Sequence, residues 1–303
     1  MIENHYLVTL CQILRLYKNT PRSVVYFLAG SLPGIALLHL RQLSLFGMIC
    51  ALPNNILYEH ASNYFASPSD FPGSWFQQIM DICLRYQLPD PMTLLSSNLK
   101  REDFKKIVKK HVVSYWEETL RKEAGSLKSL TYFKSPFMSL VTPHPVWKTA
   151  GSSPYKIAMA TVQARMLSGR YRIGALTRHW TRAEDGSCSL SPLCSNSLED
   201  LPHMLKDCPA LAFTRNWLYD FTTRYAASMP LSIQYLLRQK CDPVAPTFIP
   251  FILDCSTDPD VILMCQNIGF YILDDLFSVT RTWVYVLHRE RLKLLGRWRS
   301  GRN

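Results

Sequence analysis

Apolar residues recur along this chain at intervals of three and four, and proline or glycine punctuates the pattern. In HYLVTLCQILRLYKN, Leu7, Leu10, Cys11, Leu14 and Tyr17 line one side of a helix that Pro21 closes. IALLHLRQLSLFGMICAL follows Gly34 and stops at Pro53. GSWFQQIMDICLRYQLP predicts a helix with Ser74 as its N-cap and Pro89 beyond its end. In KREDFKKIVKKHVVSYWEETLRKEAG the stripe is Phe104, Ile107, Val108, Val112, Tyr115, Trp116 and Leu120, and Gly125 suits the C-terminal cap. KIAMATVQARMLSGRYRIGALTRHW predicts a further helix, and LDDLFSVTRTWVYVLHRERLKLLGRWRSGRN the last. Alternating runs are scarce, and LTYF and TFIPFIL are the only short strand candidates. The expected fold is all-α, a multi-helix bundle.

The prolines divide the pattern. SPFMSLVTPHPVWKTAGSSPY, residues 135–155, holds four prolines and a glycine and reads as an extended connector. It separates a helical region, 1–134, from a basic helix with a cysteine-histidine module, 156–215, and a C-terminal helical region with a basic tail, 216–303. The most membrane-like stretch is SVVYFLAGSLPGIALL, Ser23 to Leu38. It is 16 residues long and broken by Gly30, Pro33 and Gly34. A span needs about 20 apolar residues, so a buried helical pair around a turn is expected and no membrane partner. The N-terminal residues lack the basic start and small-residue cleavage site of a secretory signal.

Composition adds a partner class. With 48% apolar and 12% aromatic residues among 303, the chain can bury a core, and its formal charge of +11 favours polyanions, RNA or DNA first. Between Lys100 and Lys134 ten basic residues face five acidic ones, which reads as a solvated helix face. Arg165, Arg170, Arg172 and Arg178 lie among Tyr171 and Trp180. Such a set can hold phosphates and stack on bases. It can equally be solvated arginines around core aromatics, and both readings stand. The tail from Arg281 has seven basic residues against Glu290 alone, suited to a phosphate backbone or to the end of a helix dipole. Nine cysteines, six of them scattered through apolar segments, fit reduced thiols of a cytoplasmic or nuclear protein better than disulfides.

The remaining three cysteines concentrate in CSLSPLCSNSLEDLPHMLKDC. Cys188, Cys194, His203 and Cys208 are spaced C-x5-C-x8-H-x4-C, in the order and overall span of a zinc knuckle, with a first gap wider than usual. Three thiolates and an imidazole make a common tetrahedral zinc set. Asp200 is placed to cap a helix with Pro202 in its first turn. On an unbroken α-helix His203 and Cys208 would sit about 140° apart, too far to share an ion. Pro209 disfavours helical geometry at Cys208 and can turn that sulfur back. YILDD, residues 271–275, has one residue more than the Tyr-x-Asp-Asp turn of polymerases and sits in a helical pattern, so it is read as coincidence.

Several segments taken in order carry a resemblance: PRSVVYFLAGSLPGIALLHLRQLSLFGMI, SWFQQIMDICLRYQLPDPMTLL, VVSYWEETLRKEAGSLKSLTYF, VQARMLSGRYRIGALTRHW, the cysteine-histidine stretch with CPAL after it, and LFSVTRTWVYVLHRERLKLLGRW. Together they resemble the region downstream of the reverse transcriptase domain in non-LTR (LINE-like) retrotransposon polyproteins, over nearly the whole chain. The resemblance implies a helical region followed by a zinc-knuckle-like module that holds template RNA or target DNA, with Cys188, Cys194, His203 and Cys208 as ligands of a structural zinc. No paired-aspartate metal site of a polymerase is evident in the sequence, so no catalysis is expected. The competing expectation is a protein-interaction scaffold or remnant that packs on a reverse transcriptase domain, binding neither nucleic acid nor metal, with VVYFLAG and IPFILDC as its docking surface.

Overall fold

The computed structural model describes residues 2–67, 73–97, 99–174, 186–188, 190, 194 and 197–300. Among them the fold is all-α, with one isolated antiparallel bridge, Ser187 to Leu198. The helices are α1 (Ile2–Ile13), α2 (Arg22–Ala29), α3 (Gly34–Cys50), α4 (Ile56–Ala66), α5 (Trp75–Arg85), α6 (Pro91–Ser96), α7 (Arg101–Ser126), α8 (Pro145–Lys148) and α9 (Pro154–Leu167). After the cysteine-histidine segment come α10 (Ala212–Ala226), α11 (Leu231–Lys240), α12 (Phe248–Leu253), α13 (Pro259–Ile268) and α14 (Ile272–Ser300).

Local chemistry sets many of these boundaries. Ser74 caps α5 by accepting from the Gln77 N–H at 3.1 Å. On α7, Phe104, Val108, Val112 and Leu120 face the core, while Lys105, Lys106 and Lys122 pair with acids three or four residues away. That helix face is solvated, as its charge pattern suggests. Gly125 is not its cap: the helix runs on to Ser126 and Leu127 follows it.

Two strand candidates are corrected. LTYF continues from a 3-10 turn at Lys128–Leu130, and FIPFIL within the other forms α12. Phe248, Ile249, Phe251, Ile252 and Leu253 are all buried, and a short run buried on every side has no period to distinguish helix from strand. Pro250 is tolerated because it lies in the first turn. The helix expected to run on through Tyr171 stops at Leu167, where Gly169 adopts φ +63° and the Arg170 N–H returns to the Arg165 carbonyl at 3.2 Å.

The expected buried pair around a turn is α2 and α3, which meet at 58° across residues 30–33. Val24 to Leu28 are fully buried, as befits a helix apolar on all sides. Among the described residues no single helix is long and apolar enough to cross a membrane. Because VVYFLAG and IPFILDC lie mostly in the core, neither is a docking surface.

The proline-rich connector is packed, not free. Met138, Leu140, His144, Val146 and Ala150 are buried within it. Gly30, at φ +60° beyond α2, lies so close to it that a Cβ would fall 2.1 Å from the Thr142 carbonyl carbon. His144 donates its N–H to Leu28 at 3.2 Å, and its ring meets Asp254 at 3.2 Å. One continuous set of buried residues thus runs from α1 to α14.

Candidate metal centre and its surroundings

Cys188 and Cys194 belong to a short loop closed by backbone pairing. The Cys188 N–H reaches the Ser197 carbonyl at 2.8 Å, Glu199 N–H reaches Gly186 at 2.9 Å, and Ser197 N–H returns to Cys194 at 2.8 Å. This miniature ladder brings the two cysteines of the wide C-x5-C pair together.

His203 and Cys208 are positioned from the other side. Asp200 accepts the His203 N–H at 2.8 Å, the expected cap. The turn that follows, His203–Asp207, is π-helical, and the Cys208 N–H bonds the His203 carbonyl at 2.7 Å. A five-residue repeat places Cys208 nearly over His203, where an α-helix would turn them apart. Cys208 is extended (φ −60°, ψ 117°), as a residue before proline prefers.

The four side chains converge. Their ligand atoms all lie within 4.8 Å of one another. The Cys208 sulfur is 4.0 Å from that of Cys188 and 3.7 Å from that of Cys194. Tetrahedral bonds of about 2.3 Å to one ion would set sulfurs about 3.8 Å apart. The Nε2 of His203 is buried without a hydrogen-bond partner. An orphaned imidazole nitrogen beside three sulfurs is what a metal ligand looks like without its ion. These residues fit a metal ion.

The sulfurs are not equivalent. Hydrogen bonding from Cys188 holds the Cys208 thiol down to about 5. Hydrogen bonding to Cys208 pushes Cys188 up, and burial pushes Cys194 up. Backbone hydrogen bonds from Leu190 to Cys188, and from Ala210 to Cys194 and Cys208, further favour thiolates. The other six cysteines are buried and free.

The centre is held against α14 by groups the sequence reading did not single out. Glu199, between Cys194 and His203, makes a bidentate ion pair with Arg291 at 2.6 and 2.9 Å, and it accepts the Gly174 N–H at 2.7 Å. Both pair members are almost wholly buried. Nothing in the local pattern marks a pair 92 residues apart. Glu199 shares its segment with two other acids, Asp200 and Asp207, so the residue type alone does not mark it.

The basic candidates separate into different environments. Arg165 donates to the Arg15 carbonyl at 2.9 and 2.6 Å, and its guanidinium lies 4.7 Å from the Tyr17 ring centre, with that of Arg172 at 4.9 Å. Neither has a carboxylate partner among the described residues. The Nε of Arg170 is buried and has no hydrogen-bond partner among the described residues. Tyr171 corrects the expectation of a stacking platform: it is 4% exposed, bonded to His288 Nδ1 at 2.6 Å and covered by Arg291. Arg178 and Trp180 lie outside the described residues. The tail is also less available than its sequence suggests, since Arg281 is buried on Thr149 and Arg291 serves Glu199.

His288 supplies a pH-dependent test of this packing. Burial, aided by Arg291, Arg165 and Arg289, holds its pKa down to about 4. The unfolded chain takes up a proton as pH falls through about 6.5, and the folded one does not until about 4. Stability is therefore full above the unfolded value and declines as pH falls from 6.5 to 4. Allowing for solvent screening of a half-buried ring, the loss is about 1–2 kcal/mol. Urea titrations across pH 4–7 are expected to show this slope in wild type and a flatter one in His288→Gln; equal slopes would remove the assignment.

In comparisons with family models, curated proteins and solved structures, the chain matches none.

Proposed function

We propose that the chain is a non-catalytic RNA- or DNA-binding module stabilised by a structural zinc ion, as its resemblance to the region downstream of a retrotransposon reverse transcriptase implies. The observation that carries the reading is the buried convergence of Cys188, Cys194, His203 and Cys208. Three thiolates select a soft or borderline metal over magnesium or calcium, and four protein ligands leave no open position for chemistry. The nucleic-acid part is supported by the charge of +11 and by Arg165 and Arg172 on Tyr17, a pair without a carboxylate partner among the described residues. Their guanidiniums would contact phosphates, with Tyr17 a more accessible ring than Tyr171.

Elemental analysis of purified protein is expected to find one zinc per chain. Fluorescence anisotropy with single-stranded RNA and DNA should show affinity falling steeply with salt. Removing two phosphate contacts in Arg165→Gln/Arg172→Gln should reduce the logarithmic salt slope by about 1.4. Zinc-free protein would end the metal reading, and absence of binding at low salt would end the nucleic-acid one.

One observation favours the alternative of a protein-docking role. On α10, Trp217, Phe221 and Tyr225 stack successively at 5.6 and 6.0 Å, with Phe213 84% exposed one turn before them. Association with a separately produced reverse transcriptase domain, without nucleic-acid binding, would replace the first reading with this one.

A further inference from the structure

Arg215 stands on α10, one turn beyond the metal-ligating segment, and is only 6% exposed. Its Nη2 donates to the Cys208 carbonyl at 2.6 Å. Its Nη1 is buried without a hydrogen-bond partner, and no carboxylate forms an ion pair with it among the described residues. Burying a guanidinium in this way is costly unless a negative charge lies close by. Burial holds its pKa below the ordinary arginine value, and the groups that oppose this are Cys208, Asp207 and Cys194, two of them candidate ligands.

The charge count explains the arrangement. A divalent ion bound by three thiolates and a neutral imidazole leaves one net negative charge on the centre. One buried guanidinium neutralises it. Bound metal holds all three sulfurs as thiolates, so the negative charge that Arg215 faces is then fixed. We propose that Arg215 is the counter-cation of the metal centre: its fixed positive charge, buried beside Cys208, compensates the net negative charge of the tris-thiolate site. Arg215 is a positioning residue in one further respect, since its bond to the Cys208 carbonyl fixes the backbone beside that ligand. The inference rests on the zinc reading above and adds to it a residue, and a sign of charge, that the ligand spacing does not contain.

Charge and hydrogen bonding are separable by substitution. Arg215→Gln keeps a donor but no charge, Arg215→Lys keeps a charge, and Arg215→Met keeps only apolar volume. The experiment measures zinc affinity of the full chain by chelator competition, the cobalt(II)-thiolate absorption of the substituted protein, and thermal midpoints with and without zinc. Groups supporting metal ligands typically carry 10- to 100-fold in affinity, and a loss of about that size is expected for Gln and Met, with Lys close to wild type. The metal-free midpoint of Arg215→Met should be unchanged or higher, because the cost of burying the guanidinium has gone, while its gain on adding zinc shrinks. A merely structural arginine would lower both midpoints together. If wild type binds zinc and all three variants bind it equally, the counter-cation role is overturned while the zinc site stands. If wild type binds no zinc, both fall.

Discussion

Cys208→Ser is expected to abolish stoichiometric zinc binding and to loosen residues 186–212 while leaving the helices on either side folded. Cys208 lies within 4.0 Å of both other sulfurs, so it is the member through which the two halves of the site meet. Its loss should lower metal affinity by more than about 100-fold, beyond the range of groups that only support ligands. Free energy of metal binding at such a site is also free energy of local folding. Hydrogen exchange should therefore accelerate in this segment first, while α2 and α3, each packed on α7, keep their protection with it. Full zinc retention in Cys208→Ser/His203→Ala would show that other atoms hold the ion.

The second large effect is expected at Glu199. Glu199→Ala leaves Arg291 buried without its carboxylate and the Gly174 N–H without its acceptor. Breaking one side of a buried pair costs about 3–5 kcal/mol, because the remaining charge is uncompensated. Replacing both partners with methionine should recover most of that loss, since desolvation of the pair is then removed as well. Urea denaturation of Glu199→Met, Arg291→Met and the double variant measures this. A double variant as unstable as the sum of the singles would show that the residues act separately.

Much of the fold was legible because its determinants are local. The α7 stripe, the Ser74 and Asp200 caps and the break between α2 and α3 each depend on residues within a few positions. The four converging side chains were legible for the same reason. The way His203 and Cys208 meet was only half visible: Pro209 signalled the extended Cys208, but the π-helical turn depends on the Asp200 cap and on packing of Met204 and Leu205 into the core. Tyr171 misled because an aromatic among arginines has the same local pattern on a surface as beneath one. Arg291, counted with the basic tail, misled for a related reason, and nothing local marks Arg215. Charge counted along a chain does not reveal which cations the fold turns inward, and their partners lie far off in sequence or are backbone groups.

The packing of the connector against α2 bears on how the chain is made. Leu28 obtains its contact from His144, and His144 in turn obtains Asp254, 110 residues later. Contacts so distant in sequence form late, and a chain emerging from the ribosome acquires them in order. Val24 to Leu28 therefore remain incompletely covered until the connector has been synthesised, and the connector remains loose until α12 has followed it. During that interval this apolar helix is the surface that a nascent-chain chaperone would meet.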